Sequence, residues 1–136
     1  MIKTRKIGAK YEYYAEMFLV KQDFVVLYKN FYTRYGEIDL ICEKNGEIYF
    51  FEVKSVSCKT LCAGITGLEH VTREKISRLT SSINIFCKEH FVSNSFCHLR
   101  IIEVINCICK LYSHGGEECF LKTNETKCVC NIYNCL

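Results

Sequence analysis

The spacing of apolar residues along the chain predicts two helices. Over residues 4–22 apolar side chains recur every three or four positions, and Thr4 is a candidate N-terminal cap. The residues of this stripe are Ile7, Tyr11, Ala15 and Phe18. A second helix is predicted from Thr72, its cap, to about His90. Its buried face is predicted to consist of Ile76, Leu79, Ile83 and Phe86.

Runs of β-branched and aromatic residues predict the strands. They cover residues 24–30, a hairpin near 36–54, a buried strand at 99–112 and a weak strand at 117–122. Residues 55–71 predict a loop, and the chain after Lys127 has no assigned element. The order α-β-β-β-α-β indicates an α/β fold with helices on a mixed sheet. We expect a single domain over residues 1–136, with its core at about 5–110 and an unassigned cysteine-rich tail at 111–136.

The hairpin carries charges inside otherwise apolar strands. Asn45-Gly46 is a strong signal for a two-residue turn, and a turn centred there pairs Asp39 with Glu52 and Glu37 with Lys54. Alternation then gives one core face, which consists of Ile38, Leu40, Cys42, Tyr49, Phe51 and Val53. The other face carries Ile41 and Phe50 in its middle and the four charged residues at the end away from the turn.

Two opposed carboxylates about 5 Å apart repel each other by roughly 3 kcal/mol at an effective dielectric constant near 20. Either one carboxyl is protonated, or both point into water, or a divalent cation lies between them. We favour the cation, because Mg²⁺ usually takes one or two carboxylates and Lys54 shares the face of Glu52. The alternative is a surface hairpin with solvated acids and a Glu37–Lys54 pair.

Composition narrows the class of protein. The chain has 136 residues, 49% of them hydrophobic, and a net charge of +3, which suits one globular domain and permits an anionic partner. The absence of a long apolar run predicts a cytoplasmic protein that does not bind a membrane. The 11 cysteines are odd in number. The candidate zinc patterns do not repeat as the paired two-residue spacing of a zinc ribbon; they are Cys107-x-Cys109, Cys128-x-Cys130 and Cys87-x-x-His90. The many cysteines nevertheless leave a thiol-rich metal or redox protein as one functional hypothesis.

Several strings resemble the YraN-type family of small bacterial predicted endonucleases, which is similar to Holliday-junction resolvases of the PD-(D/E)xK nuclease superfamily. The strings are Gly8-x3-Glu12-x2-Ala15, Asn30, Gly36-Glu37-Ile38-Asp39-Leu40-Ile41, Phe51-Glu52-Val53-Lys54 and Lys75-x-x-Arg78-Leu79. The likeness covers about residues 5–105. It departs from the family at three positions: Tyr32 and Val56 stand where basic residues are usual, and Glu103 stands where aspartate is usual.

The resemblance implies a restriction-endonuclease-like αβββαβ core and a metal-dependent nuclease of structured or branched DNA. It implies that Asp39 and Glu52 ligate Mg²⁺ or Mn²⁺ with the Val53 carbonyl and Glu12, and that Lys54 acts on the attacking water. Glu37 is either a further ligand or a partner of Lys54, and the alternative for Glu12 is an exposed partner of Lys10 or Lys21.

Basic residues outside the hairpin are the candidates for DNA contacts. They are Arg34, Arg73, Lys75 and Arg78, although each cluster taken alone is equally compatible with a solvated helix face. A nucleic-acid-binding protein of the same fold without efficient cleavage is the alternative function. A homodimer is also compatible with the sequence.

Overall fold

The computed structural model describes residues 2–57, 71–107, 118–123 and 126–134, with the side chains of residues 9–55 and 71–104. The described ranges contain the α-helices α1 (Ile2–Lys21) and α2 (Arg73–His90) and a short 3-10 helix at Asn94–Phe96. The strands are β1 Val25–Thr33, β2 Gly36–Lys44, β3 Glu47–Ser57, β4 Cys97–Cys107, β5 Glu118–Thr123 and β6 Thr126–Asn134.

These strands form one mixed sheet with the order β1-β2-β3-β4-β6-β5. The β3–β4 pair is parallel and the other neighbouring pairs are antiparallel. The helices flank this sheet, since α1 and α2 pack against different apolar clusters on it. The predicted α/β fold is thereby confirmed, and the arrangement is consistent with a restriction-endonuclease-like core.

The local sequence signals explain most of these elements. The Thr72 side chain accepts a hydrogen bond from the Lys75 amide at 3.1 Å, so it caps α2 as predicted. Asn45 and Gly46 both have positive φ angles, 53° and 79°, as a two-residue type I′ turn requires. The register of β2 and β3 around this turn runs from Lys44–Glu47 to Leu40–Phe51, as the sequence predicts.

Several predicted boundaries were wrong. α1 begins at Ile2, so Thr4 lies inside it, and residues 55–57 extend β3 where a loop was expected. The remainder of that loop, 58–70, lies outside the described residues, as do residues 108–112 of the predicted 99–112 strand. The weak strand of 117–122 appears as β5, and β6 occupies part of the unassigned tail.

The prediction that Ile38 shares a core face with Leu40 was also wrong. The alternation of side chains between the two faces of the sheet reverses at Asn30 of β1, the strand that pairs with β2. Asn30 has a φ angle of 52°, a left-handed conformation that asparagine tolerates better than most residues. Lys29, just before it, reaches Glu16 on α1, whereas Phe31, just after it, packs on the α2 side. The paired strand β2 shows the same reversal, since Leu40 packs under α1 whereas Ile38 packs under α2.

Among the described side chains, one apolar core cluster lies on each face of the sheet. The α1 side holds Ala15, Phe18, Leu40, Cys42 and Phe51 among its buried members, and the α2 side holds Ile38, Ile41, Phe50, Leu79, Ile83 and Phe86. Both predicted helix stripes therefore face the sheet wherever their side chains are described. Since both faces of the hairpin are covered, its charged end lies at the margin between two buried layers.

Candidate functional site

The charged end of the hairpin lies where β2 and β3 part. Their pairing ends at Leu40–Phe51, one pair before the expected Asp39–Glu52 pair. Beyond that point β2 continues beside β1 and β3 continues beside β4, through Ser57–Asn106. One bond still spans the gap: the Val53 amide donates to Asp39 Oδ2 at 2.8 Å. The gap therefore admits side chains from both helical layers.

Three carboxylates meet in this gap. Glu12 from α1 and Glu37 and Asp39 from β2 each place one oxygen so that all three oxygens lie within 4.8 Å of one another. Each of these side chains is partly buried. The helix residue and the strand residues are brought together only by the packing of α1 on the sheet.

Asn30 joins this cluster through its side-chain amide. With the amide oriented so that nitrogen faces the acceptors, it donates to Glu12 Oε2 at 3.1 Å and to Glu37 Oε1. Asn30 therefore has two roles. Its left-handed backbone reverses the strand alternation, and its side chain links two of the carboxylates. The sequence shows Asn30 as part of the family pattern but gives it no role, so this contact was missed.

Glu52 lies on the other side of the gap, between two lysines. Its side chain is 6% exposed, and Oε1 is 3.5 Å from Lys54 Nζ and 3.4 Å from Lys75 Nζ. Its Oε2 is buried and has no hydrogen-bond partner among the described residues. Lys54 contacts Glu52 here, not Glu37 as one alternative expected. Lys75, predicted as a DNA contact on a helix surface, instead reaches into the acidic site.

The electrostatic environment disfavours ionisation of the clustered acids. Burial, and next the charge of Glu52, raises the pKa of Asp39 to about 8, although the Val53 amide opposes the shift. Burial followed by the charge of Glu37 raises the pKa of Glu12, while burial followed by the charge of Glu52 raises that of Glu37. Burial and mutual repulsion therefore disfavour the ionised form of all three acids, and a bound cation would oppose this effect.

This donor set fits a hard divalent cation. Mg²⁺ and Mn²⁺ prefer carboxylate oxygens, and three such oxygens converge here. A fourth, Glu52 Oε2, is buried and has no hydrogen-bond partner in the described part of the chain. Burying an unpaired carboxylate oxygen is unfavourable, and a cation would relieve that cost. The predicted role of the Val53 carbonyl stays a prediction, since the Val53 contact in the structure is made by its amide.

The other predicted basic residues remain at the surface. Arg34 is exposed and contacts Tyr35, through its guanidinium at 2.9 Å from the hydroxyl and over the ring. Arg73 is exposed, and Arg78 pairs with Glu74 one turn earlier on α2. The structure thus separates Lys75 from the arginines with which the sequence grouped it.

The sequence profile of the uncharacterised protein family UPF0102 matches residues 11–106, which include the whole acidic site. The chain belongs to UPF0102, the YraN family. One relative, the UPF0102 protein of Helicobacter hepaticus, is 32% identical over 110 residues, covering 81% of this chain and 94% of its own. The UPF0102 protein of Fusobacterium nucleatum is 42% identical over 85 residues, covering 62% of this chain and 69% of its own.

UPF0102 membership confirms the family indicated by the sequence strings and supports a general predicted nuclease assignment. The UPF0102 protein of Syntrophomonas wolfei, 47% identical over 85 residues, covers 62% of this chain and 71% of its own. Within the described parts of the chain, neither helix is long and apolar enough to cross a membrane.

Proposed function

We propose that this UPF0102 protein is a Mg²⁺- or Mn²⁺-dependent nuclease that hydrolyses phosphodiester bonds in DNA, with structured or branched DNA as its substrate. The observation that carries the proposal is the meeting of Glu12, Glu37 and Asp39 with Glu52 and two lysines in one gap of the sheet. Such a set provides carboxylate ligands for a metal ion and ammonium groups that attract a phosphate.

Asp39 and Glu52 would hold the metal ion, with Glu12 and Glu37 as further carboxylate ligands. When bound, the ion stabilises negative charge on the phosphate and lowers the pKa of a coordinated water. Val53 contributes through its amide, which fixes the orientation of Asp39. The side-chain amide of Asn30 likewise orients Glu12 and Glu37 by donating a hydrogen bond to each. The chain itself thereby holds the carboxylates in place before a cation arrives.

Lys54 is the candidate catalytic group. Its side chain is 30% exposed, so the ammonium reaches both Glu52 and a substrate that enters the gap. There it donates hydrogen bonds to the attacking water or to the phosphate oxygens, which is where negative charge develops. Lys75, with a side chain 36% exposed, offers a second ammonium from the opposite layer. The two positive charges reduce the repulsion that the carboxylates exert on DNA.

A nucleic-acid-binding protein without efficient cleavage is the alternative. It is less well supported, because a site that only binds phosphates gains nothing from carboxylates gathered at the same place. The cytoplasmic location and the homodimer remain predictions.

The test is single-turnover cleavage of labelled duplex, flap and four-way DNA with Mg²⁺, Mn²⁺ or EDTA. Wild type should cut in a metal-dependent manner, and Lys54→Ala should lower the rate by roughly 10²-fold or more at nearly unchanged DNA affinity. Glu52→Gln should lose metal and activity together. Lys44→Ala, at the turn end of the same hairpin, is the control and should cut normally.

Two outcomes would overturn the proposal. Equal rates for Lys54→Ala and wild type would point to a contaminating nuclease. DNA binding without cleavage under both metals would favour the binding protein.

A further inference from the structure

Two cysteines that the proposed nuclease chemistry does not use lie side by side on the α2 face of the sheet. Cys87 lies in the last turn of α2, and Cys97 is the first residue of β4. Their sulfur atoms are 3.5 Å apart. Cys87 is buried in the apolar cluster under α2, and Cys97 is partly buried against that cluster. The fold therefore brings together two thiols from different elements.

The described surroundings of this pair provide no third metal ligand. His90, the partner of Cys87 in the candidate zinc pattern, has both ring nitrogens engaged: Nε2 contacts the Tyr28 hydroxyl at 3.0 Å and Nδ1 contacts the Phe86 carbonyl at 3.0 Å. Among the described residues, the acidic site is the one place where three potential ligands meet. Zinc in proteins usually takes four ligands, so two thiols alone do not make a zinc site.

We propose that Cys87 and Cys97 are an oxidative modification site, which a small-molecule disulfide such as oxidised glutathione converts to an intramolecular disulfide. The sulfur atoms must approach by about 1.5 Å to reach the bonded distance near 2.05 Å. Side-chain rotation of Cys97 would supply such a movement at the cost of its 3.5 Å contact with the Ser93 carbonyl, since this residue begins its strand and is only partly buried. The inference is independent of the proposed nuclease activity.

The exchange takes two balanced steps. Cys97, the more exposed thiol, loses its proton and attacks oxidised glutathione, which forms a mixed disulfide and releases one glutathione thiolate. Cys87 then loses its proton and attacks the Cys97 sulfur, which forms the protein disulfide and releases the second glutathione. The two protons end on the two glutathione thiols, and the protein thiols are oxidised as the glutathione disulfide is reduced.

The rate of this exchange depends on pH. Burial, and then the neighbouring Cys87 thiol, raises the pKa of Cys97 to about 12. Because the thiolate is the nucleophile, the bridge forms slowly at neutral pH and faster in alkaline buffer.

The bridge would fasten the end of α2 to the start of β4. It closes a connection of residues 88–96, in which Phe91 has a φ angle of 56° and is 96% exposed. Closing a loop lowers the entropy of the unfolded chain, so the oxidised protein should be more stable than the reduced one. A stiffer connection should also resist proteolysis.

Peptide mapping tests the pairing directly. Trypsin cleaves after Arg78, Lys88 and Arg100, so the two cysteines fall in separate peptides, 79–88 and 89–100, with one cysteine in each. Folded protein is incubated with oxidised glutathione at pH 8.5, free thiols are alkylated, and the digest is analysed without reduction. The linked pair should exceed every other disulfide of Cys87 or Cys97 by at least about tenfold.

Two variants and a melting experiment complete the test. Cys42→Ala removes a buried cysteine from the other core cluster and should retain the linked peptides, whereas Cys97→Ser should lose them. Oxidation should raise the melting temperature of wild type by about 5–10 °C and leave that of Cys97→Ser unchanged. Thiols that stay fully alkylatable after oxidation, or a random choice of partners, would overturn the proposal. The wild-type peptide map gives this answer even if a variant fails to fold.

Discussion

The two ends of one hairpin differ in almost every physical respect. Near the turn, β2 and β3 are joined by continuous pairing from Lys44–Glu47 to Leu40–Phe51, and Ile41, Phe50 and Phe51 are fully buried. At the other end the strands part, and the side chains between them are carboxylates and an ammonium. The closed end stabilises the fold, and the open end contains the proposed metal site.

The difference shows how a sheet can contain a polar site without losing its core. The left-handed Asn30 reverses the alternation in β1 just where β2 leaves β3. From that point residues of β2 face the gap, while β3 remains fixed by parallel pairing with β4. Rigid strands on both sides hold the acids close together although they repel one another.

The largest effect should come from damage to the closed end. Phe51→Ala removes a fully buried ring from the cluster under α1 and should lower the free energy of unfolding by about 3–5 kcal/mol. Chemical denaturation measures the loss. Phe96→Ala is the matched control, because Phe96 is largely exposed, and it should cost less than about 0.5 kcal/mol. Equal losses would show that the closed end is not the stabilising half.

At the open end, Asp39→Asn should weaken Mn²⁺ binding by at least about tenfold, since it removes a charged ligand and keeps an acceptor for the Val53 amide. Isothermal titration calorimetry of the two proteins measures the change. Glu43→Gln is the control, because Glu43 is an exposed acid at the closed end of the same strand. Unchanged Mn²⁺ affinity in Asp39→Asn would show that Asp39 is not a metal ligand.

Acidic residues at the two ends should also contribute differently to the pH dependence of the protein's stability. The pKa of Asp39 is about 8 in the folded protein, against about 3.9 in an unfolded chain, so between these values the folded state binds more protons. Asp39 therefore destabilises the metal-free protein progressively as pH rises from about 4 to about 8, with no further change above that.

Thermal melts in EDTA from pH 5 to pH 9 check this dependence. The melting temperature of Asp39→Asn should rise relative to that of wild type as pH increases, and Mn²⁺ should restore wild type at high pH. A constant difference between the two proteins across this range would contradict the raised pKa. Glu43→Gln again serves as the control and should follow wild type.

The smallest effect concerns the exposed arginines beside the open end. If Arg73 and Arg78 contact DNA phosphates, the double Ala variant should lower the salt slope of DNA affinity by about two. Lys44→Ala, at the closed end, should leave the slope unchanged. Equal slopes for all three proteins would identify the arginines as a solvated helix face.

Much of the fold was predictable because its signals are local. Asn45-Gly46 set the turn and thereby the register, Thr72 set the start of α2, and the helical stripes set the buried faces. The acidic residues Asp39 and Glu52 stood out because charges are rare in apolar strands. Glu12 was indicated only by the resemblance to the family.

Other features could not be predicted because their cause is not local. A left-handed residue in mid-strand has no distinctive pattern, so the sequence put Ile38 on the wrong face. Asn30 and Lys75 reach the site from β1 and α2, and their contacts depend on how those elements pack. Cys87 and Cys97 are ten residues apart, a spacing that by itself predicts no contact between them.

The sequence by itself therefore determined the elements, the turn and the types of residue available for chemistry, because hydrophobic period and turn preference act over a few residues. The tertiary structure decided which strand pair opens, which carboxylates share the gap and that Lys75 joins Lys54 at Glu52. These relations depend on the packing of α1 and α2 on opposite faces of one sheet, and no short stretch of the chain contains that information.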